Sequence, residues 1–461
     1  MKRYAISIIL CLTGICAAAQ ETVLDLAACR ELAAERNSTI AGTRYELQAA
    51  EYQRAEARGE WFPRVSFNAL GFASVKPLVD LGVKDILGHG ELGNMVQNVV
   101  DVFAPQLGIS DPRFKAVTWG YSAGFSLIQP VYAGGRIANG NRLAELGVEA
   151  AKLQGEVKTR EENGNLDELF YQVISLQEKR KTLGSALKLV DRLLSDVSAA
   201  YASGLLTEDE LLQVQLKRNE LLSSSVQLES GLKLSKMNLL NNIGMPYSLL
   251  KASAAEGKPY IDDFSFTAEL AEPFPPISYF VDEETVAASM LEAQLLELNV
   301  EAKQLEKRME MGGTLPQLAL GATYGYSDIG FSGRFNGAAF ATLQVPISDW
   351  GKTSMKMKRL QSGIDKAKDE QEYLNSQLRL QVSKLWVDLC TAWDEYRLKQ
   401  EAVEMSGAAY ARMEARYNAG QITASQLLES ETSLRGCEDE LSEALCNYRK
   451  ALEIWRRVAG V

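Results

Sequence analysis

The stretch LIQPVYAGGRIANGN, Leu127–Asn141, has a counterpart in LQVPISDWGKTSMK, Leu343–Lys356. Both join a strand-like run to a proline and a glycine turn, and a long segment without proline follows each of them. Because proline interrupts a helix and glycine permits a tight turn, each stretch predicts a junction between a strand and a long helix. The predicted junction residues are Pro130, Gly134, Gly135, Pro346 and Gly351.

The two proline-free segments are predicted to be helical hairpins. Apolar residues recur in both at three- and four-residue spacing, which is typical of amphipathic helices. The first helix of each hairpin, expected to run for about 55 to 68 residues, ends in AYASGLLTEDELL around Gly204 and in RYNAGQITASQLL around Gly420. The returning helices have capping-box spacing in the pairs Thr207 with Glu210 and Thr423 with Gln426.

The two hairpins match each other without a gap at an offset of 216 positions. Prolines, glycines and a tyrosine share this register, which favours an internal tandem duplication over chance. The matching pairs include Pro130 and Pro346, Gly135 and Gly351, Tyr201 and Tyr417, Gly204 and Gly420, and Gly244 and Gly460. The predicted domains are a first repeat at 20–246, a linker at 247–284 and a second repeat at 285–461.

Two strand-like segments precede each hairpin. In TWGYSAGFSLI, 118–128, and QLALGATYGYS, 317–327, large apolar residues alternate with small or polar ones, and RVSFNALGFA and NGAAFATLQV are their weaker partners. This alternation is typical of strands between lipid and a wet lumen, although a half-buried soluble sheet also produces it. Four strands cannot close a barrel and open edges are not tolerated in lipid, so the barrel would be shared between chains, with twelve strands from three copies.

The first residues predict a secretory signal at 1–19, with basic Lys2 and Arg3, an apolar run and three alanines before Gln20. No other window approaches the roughly 18 apolar residues that a spanning helix needs. If the protein crosses a membrane, it therefore does so with strands.

Composition excludes several function classes. The formal net charge of −11 argues against a nucleic-acid partner. The single histidine, His89, excludes most histidine-based metal and triad chemistry, and no paired carboxylates, phosphate loop or nucleophile motif stands out. We therefore predict no enzyme activity, no catalytic residues, no cofactor and no metal. The cysteines left after signal removal are predicted to be buried thiols: Cys29, Cys390, Cys437 and Cys446.

A long insertion, 72–115, separates the first two strands. It contains one apolar helical face, formed by Leu92, Met95, Val96, Val99, Val100 and Phe103. We expect this face to pack the external loop, with capping of a pore mouth or docking of a partner as alternatives.

In these features the chain resembles the TolC family of outer-membrane efflux proteins. The resemblance is carried by LDLAACRELAAERNSTI followed by ARGEWFPRVSF, by the QPVYAGGR and VPISDWGK junctions, and by the tips YASGLLTEDELL and YNAGQITASQLL. It implies an α+β membrane protein: a homotrimer with a twelve-stranded outer-membrane β-barrel, four strands per chain, continuing into a long periplasmic α-helical barrel. It also implies a passive exit duct, without a cofactor, that contacts outer-membrane lipid and is coupled through a periplasmic adaptor to an inner-membrane pump.

The resemblance assigns roles to individual residues. The expected adaptor contacts at the hairpin tips are Tyr201, Gly204, Leu205, Tyr417, Gly420 and Ile422. A periplasmic gate of acidic side chains maps onto Gln426 and Glu429, of which Gln426 departs from the acidic pattern. The competing interpretations are a tip glycine and tyrosine that only form the turn, a Gln426 that only caps a helix, and an ordinary exposed Glu429.

Two other function classes compete with the duct. A periplasmic helical scaffold would pack its strands as a soluble sheet and conduct nothing. An enzyme would need a catalytic cluster, and none stands out in the sequence. Only the duct accounts together for the signal, the duplication, the alternating strands and the lack of an apolar helix.

Overall fold

The computed structural model describes residues 22–81, 85–86, 90–107, 114–116, 118–249, 259–268, 272–328 and 333–460. His89 and the predicted signal at 1–19 lie outside these residues. The chain divides into two compact units. The helical unit comprises Met1–Ala49, Glu149–Leu298 and Lys368–Val461, and the sheet unit comprises Ala50–Val148 and Asn299–Ala367.

The same order of elements occurs twice along the chain: a 22-residue helix, two strands of the main sheet, a 67-residue helix and a returning helix of 35 or 36 residues. The helices are α1 Leu26–Arg36, α2 Ser38–Gly59, α3 Glu91–Phe103, α4 Arg136–Ala202, α5 Glu208–Asn242, α6 Glu283–Ser289, α7 Leu291–Gly312, α8 Lys352–Asn418 and α9 Ala424–Ala459. The strands are β1 Thr22–Leu24, β2 Arg64–Ala73, β3 Val79–Leu81, β4 Phe114–Ala116, β5 Trp119–Ala133, β6 Phe264–Phe266, β7 Gln317–Asp328 and β8 Arg334–Gln344.

The helices α4 and α8 have the length predicted from the proline-free segments. Each has 67 residues, which corresponds to about 100 Å at 1.5 Å per residue. Helices of this length owe their stability mainly to packing of an apolar face and only partly to intrinsic propensity. No helix in the described part of the chain is long and apolar enough to cross a membrane.

Apolar clusters hold the helical unit together at three places among the described residues. One joins α1, α4 and α5 to the short parallel pair of β1 and β6, with Phe170, Leu239 and Phe264 fully buried. A second lies where the hairpins turn and joins α4, α5 and α9. The third packs α6 and α8 against the end of α9, where the Trp455 indole donates to the carbonyl of Tyr279 at 2.8 Å.

A buried carboxylate fixes the first cluster electrostatically. Asp167 of α4 is completely buried and accepts hydrogen bonds from Arg30 of α1 at 2.8, 2.9 and 3.0 Å. Arg457 of α9 contacts its second oxygen, and Arg30 also reaches Glu453 at 2.8 Å. Burial alone would lower the pKa of Arg30, but the hydrogen bonds to Asp167 and Glu453 raise it above its ordinary value. The ionised network therefore links three helices.

The sheet unit contains a four-stranded antiparallel sheet in the order β2-β5-β7-β8. The strand register places the large apolar residues of the predicted alternation on one face of this sheet. Phe67, Phe125 and Tyr324 lie side by side in one row, and Phe67 meets Phe125 edge to face with ring centroids 5.2 Å apart. These aromatic side chains are exposed. One face of the sheet is therefore apolar and uncovered within this chain.

The opposite face of the sheet carries more polar side chains, although the exposed Leu70 and Phe340 also lie on it. Ser66, Ser126 and Thr323 form the row next to the aromatic one. The hydroxyls of Ser66 and Ser126 are 2.7 Å apart, and the Asn68 amide donates to Ser126 at 3.0 Å. The two faces thus differ in polarity as lipid and lumen faces do.

The first strand-to-helix junction departs from its prediction in one respect. Pro130 lies inside β5 and not at its end, since the pairing with β7 continues to Ala133 beyond a bulge at Val131. Pro130 directly precedes this bulge, and bulges are among the places where a sheet tolerates proline. Gly134 then adopts φ +63° with its backbone against that of Gly312, where a Cβ would lie 2.0 Å from the Gly312 oxygen.

The second junction uses a carboxylate as well as a glycine. Pro346 follows the end of β8, and Gly351, like Gly135, has φ +81°. Asp349 accepts hydrogen bonds from the backbone amides of Gly351 and Thr353, at 3.1 and 2.6 Å. Hydrogen bonds from Thr353 are the main reason that the pKa of Asp349 is lowered.

Two expectations about burial are wrong. The four cysteines of the described residues are free, but only Cys29 and Cys446 are buried, while Cys390 and Cys437 are partly exposed because their helix positions lie beside the core face. Burial raises the pKa of the Cys29 and Cys446 thiols to about 12. The helix α3 forms as predicted, but four of the six side chains of its predicted apolar face are exposed within the described residues. These four are Leu92, Met95, Val99 and Phe103, and Val102 beside that face is exposed as well.

The tryptophans are unequally exposed in the two units. In the helical unit Trp455 is fully buried, and Trp386 and Trp393 pack against the same cluster. In the sheet unit Trp61 and Trp119 are about half exposed, at 48% and 49%, and Trp350 is 98% exposed.

Replacement of Asp167 by Asn should destabilise the helical unit strongly, because the Arg30 and Arg457 guanidinium groups lose their shared carboxylate. We expect the free energy of unfolding to fall by about 3 to 5 kcal/mol, measured by chemical denaturation with circular dichroism of the helices.

The matched control is Asp191→Asn. This carboxylate pairs with Arg218 at 2.7 Å but is 53% exposed, so its loss should cost less than about 1 kcal/mol. Equal effects of the two substitutions would contradict the role given to burial.

Candidate functional site

The ends of the two hairpins form the candidate site, and both turns have the same backbone geometry. The Gly204 amide donates to Tyr201 and the Leu205 amide to Ala200, both at 2.9 Å. At the second turn Gly420 donates to Tyr417 and Gln421 to Arg416, also at 2.9 Å. These paired bonds are the Schellman motif, which satisfies the last carbonyls of a helix.

The turn glycines are required by backbone conformation and not by space. Gly204 and Gly420 have φ of +69° and +70°, in the left-handed region that residues with a Cβ rarely adopt. A Cβ at either position would meet no atom within 4 Å. The turn-forming interpretation of both glycines is therefore confirmed by geometry, while adaptor contact stays a prediction.

The two turns present different side chains to solvent. At the first, Tyr201 is 41% and Leu205 is 78% exposed. At the second, Tyr417 and Ile422 are partly buried and pack against the cluster that joins α4, α5 and α9. Burial is the main cause that raises the pKa of Tyr417. Of the predicted contact residues, those of the first turn are thus the more accessible apolar surface.

The capping boxes predicted at the two helix starts have different outcomes. At α9 the box is present. The backbone N–H of Gln426 donates to the Thr423 hydroxyl at 3.4 Å, and the backbone N–H of Thr423 donates to the side-chain oxygen of Gln426 at 3.2 Å. At α5 the prediction is wrong, because Thr207 has an extended backbone but makes no side-chain cap. Instead, three acidic residues in the first turn, Glu208–Glu210, interact favourably with the positive end of the α5 dipole.

The two predicted gate residues lie one turn apart at the start of α9. The Gln426 side chain is engaged in the capping box, as the structural interpretation of this residue predicted. Glu429 is exposed, and its side chain makes no hydrogen bond or ion pair within the described ranges. Of the two predicted gate residues, Glu429 is therefore the one whose charge is unengaged.

Two features of this site were missed by the sequence analysis. Glu208 and Asp209 place exposed negative charge beside the exposed Leu205, and the run of acids after Thr207 could have indicated it. Glu431 is buried on the core face of α9. Its position three and four residues after the buried Leu428 and Leu427 was the available signal.

The described residues contain no cluster of three or more His, Cys, Asp or Glu side chains that could hold a metal ion. The chemistry available at the hairpin ends is therefore that of a surface: apolar contact, hydrogen bonding and negative charge.

Comparison with known proteins gives these elements a class. Residues 289–461 match the family described as outer membrane efflux protein. The chain is 23% identical over 311 residues to the pyoverdine export outer membrane protein OpmQ of Pseudomonas putida, a match covering 64% of this chain and 61% of that relative. The match thus spans less than two thirds of the curated relative's length.

Solved structures share the fold over nearly the whole chain. The CmeC outer membrane channel of Campylobacter jejuni superposes with a TM-score of 0.71 at 13% identity, covering 94% of this chain and 85% of that one. The outer membrane protein VceC of Vibrio cholerae gives a TM-score of 0.69 at 13% identity, covering 94% and 96%.

The fold is that of outer-membrane efflux channels, a class of channel proteins and not of enzymes. The resemblance to the TolC family is thereby confirmed, and residues 289–461 are an outer membrane efflux protein domain. The predicted location, the outer membrane with a periplasmic extension, is confirmed by the same domain and fold.

Replacement of Thr423 by Ala should weaken the start of α9, because the capping box loses its hydroxyl. We expect the first turn of α9 to lose about 1 kcal/mol of protection against amide hydrogen exchange. Thr207→Ala is the control, since Thr207 makes no side-chain cap, and the first turn of α5 should change by less than about 0.5 kcal/mol. Similar losses at both helices would refute the assignment.

Proposed function

We propose that three copies of this chain form a passive exit duct across the outer membrane, in which a twelve-stranded barrel leads into a helical tunnel. A periplasmic adaptor would join the duct to an inner-membrane pump, which supplies the energy. The observation that carries this proposal is the sheet with one apolar face, one polar face and two open edges.

The open edges support assembly into a closed barrel. Within the described chain β2 pairs only with β5, and β8 pairs only with β7. An unpaired backbone group in hydrocarbon costs several kcal/mol, so these strands cannot remain unpaired in lipid. Pairing of β2 with β8 of the next copy satisfies both edges, and three copies of four strands reach the size of a barrel with a lumen.

The polarity of the two sheet faces indicates which face would lie outside the closed barrel and which would line its lumen. Exposed Phe67, Phe125 and Tyr324 suit a lipid-facing surface, whereas the hydroxyl and amide groups of Ser66, Ser126 and Asn68 suit a watery lumen. The four main strands have 10, 15, 12 and 11 residues, which is enough for tilted strands to cross a bilayer.

The hairpin ends are proposed to serve docking and gating. Tyr201 and Leu205, with the neighbouring acids of α5, form the exposed patch that an adaptor would contact. Glu429, repeated three times around the axis, would place like charges in a constriction and favour cations. The resemblance motivates both roles, and the exposure of these side chains supports them.

The internal duplication is part of the same proposal. Two sets of matching elements would give a trimer six similar hairpins and hence a nearly regular tunnel. The curated relative is named for pyoverdine export, which supports a small molecule as the exported substrate.

The test is single-channel conductance of the detergent-purified oligomer in a planar bilayer. We expect cation-selective steps from the wild type, and Glu429→Gln should reduce the preference for cations because the ring of charge is removed. Glu208→Gln is the control: it also removes one exposed acid from a hairpin end, but it should leave ion selectivity unchanged.

The outcomes separate the two assignments. Unchanged selectivity in Glu429→Gln would leave the duct and remove Glu429 from the gate. Absence of conductance from a membrane-inserted trimer, or release of the protein without detergent, would overturn the duct and favour the periplasmic scaffold.

A further inference from the structure

Glu431 interrupts an otherwise apolar face of α9. Ala424, Leu427, Leu428 and Glu431 recur at three- and four-residue spacing, and all of them are buried. Glu431 is 8% exposed, and its Oε2 atom has no hydrogen-bond partner among the described residues. A carboxylate in this position is costly when it is ionised, because burial removes hydration that no partner replaces.

Glu431 and the proposed gate residue Glu429 occupy different surroundings although only one residue separates them. Two residues correspond to about 200° around a helix, so the two side chains point to opposite sides. Glu429 is exposed, whereas Glu431 points into the packed end of the hairpins. The chain therefore contains a matched pair of glutamates, one hydrated and one buried.

Charged and titratable groups on several helices surround Glu431. Arg435, Glu438 and Asp439 act on it from α9, and Lys217 acts from α5. Glu431 also influences Tyr410 of α8 electrostatically, as do Glu414 of α8 and Arg192 of α4. The Nε atom of Arg435 is itself buried without a partner in the described chain. The two basic groups favour the ionised form, but burial is the largest influence and raises the pKa of Glu431 above its ordinary value, with a further increase from Glu438 and Asp439.

We propose that Glu431 is a proton-binding site that controls the packing of the hairpin ends: protonated it belongs to the core, and ionised it loosens the contact between α9 and its neighbours. This inference concerns the helical unit itself and goes beyond the proposed duct, because it does not depend on conduction. Folding binds the proton more tightly, so stabilisation is complete below the ordinary glutamate pKa and is lost as pH rises through the elevated one.

The experiment is amide hydrogen exchange of the full-length oligomer in detergent, followed in peptides covering 424–438 from about pH 4.5 to pH 8. Wild type is compared with Glu431→Gln at each pH, so that the intrinsic pH dependence of exchange cancels. We expect the two proteins to coincide at the acid end. Above the elevated pKa the wild type should exchange faster, by about tenfold for each unit by which the pKa in the folded protein exceeds the ordinary value.

Two further variants decide the result. Glu429→Gln should follow the wild type throughout, because Glu429 is hydrated in both states. The ratio of the exchange rates of Glu431→Leu and Glu431→Gln should be the same at every pH, because neither side chain titrates. A pH-independent ratio shows that the pH dependence of the wild type comes from the titration of Glu431 and not from poor packing of the glutamine amide. If Glu431→Gln follows the wild type across the range, or if Glu429→Gln reproduces its effect, the proposal is wrong.

Discussion

The outer strands β2 and β8 each present a row of backbone N–H and C=O groups that have no partner in the described chain. Water would hydrate these groups, but hydrocarbon would not, and this difference is the constraint on which the architecture depends. It explains why four strands of bilayer length can occur in a chain that cannot close a barrel alone. In our proposal each copy needs its neighbours to pair its outer strands, so that only the oligomer can insert into the membrane.

Buried carboxylates are treated in two ways in the helical unit. Asp167 is completely buried but shared by Arg30 and Arg457, and the network fixes the relative position of three helices. Glu431 is almost as buried, but one oxygen has no partner. Removal of hydration costs both groups free energy, and only Asp167 recovers it through ion pairs. Asp167 therefore suits a contact between helices that stays fixed, and Glu431 suits a contact near the hairpin ends that changes with protonation.

Much of the architecture could be predicted from sequence, because it depends on local patterns. The period of two defined the strands, the absence of proline defined the long helices, and Gly204 and Gly420 marked turns that only a left-handed backbone allows. The side-chain environments were less predictable. Thr207 and Thr423 have the same capping-box spacing, but only Thr423 forms the box. Burial of Cys390, Cys437 and the apolar face of α3 depends on neighbours that are distant in sequence, and these predictions failed for that reason.

The tryptophans of the two units differ in their surroundings and therefore in their fluorescence. Those of the helical unit lie in or against its apolar core, whereas Trp61, Trp119 and Trp350 of the sheet unit are exposed. Indole emission shifts to the blue in apolar surroundings, so the two sets emit differently in water without any label. On transfer from detergent to lipid that carries a quencher in its acyl chains, the sheet-unit indoles in contact with lipid would lose emission, while Trp455 would keep it. The natural sequence thus carries its own reporter of which unit has entered a bilayer.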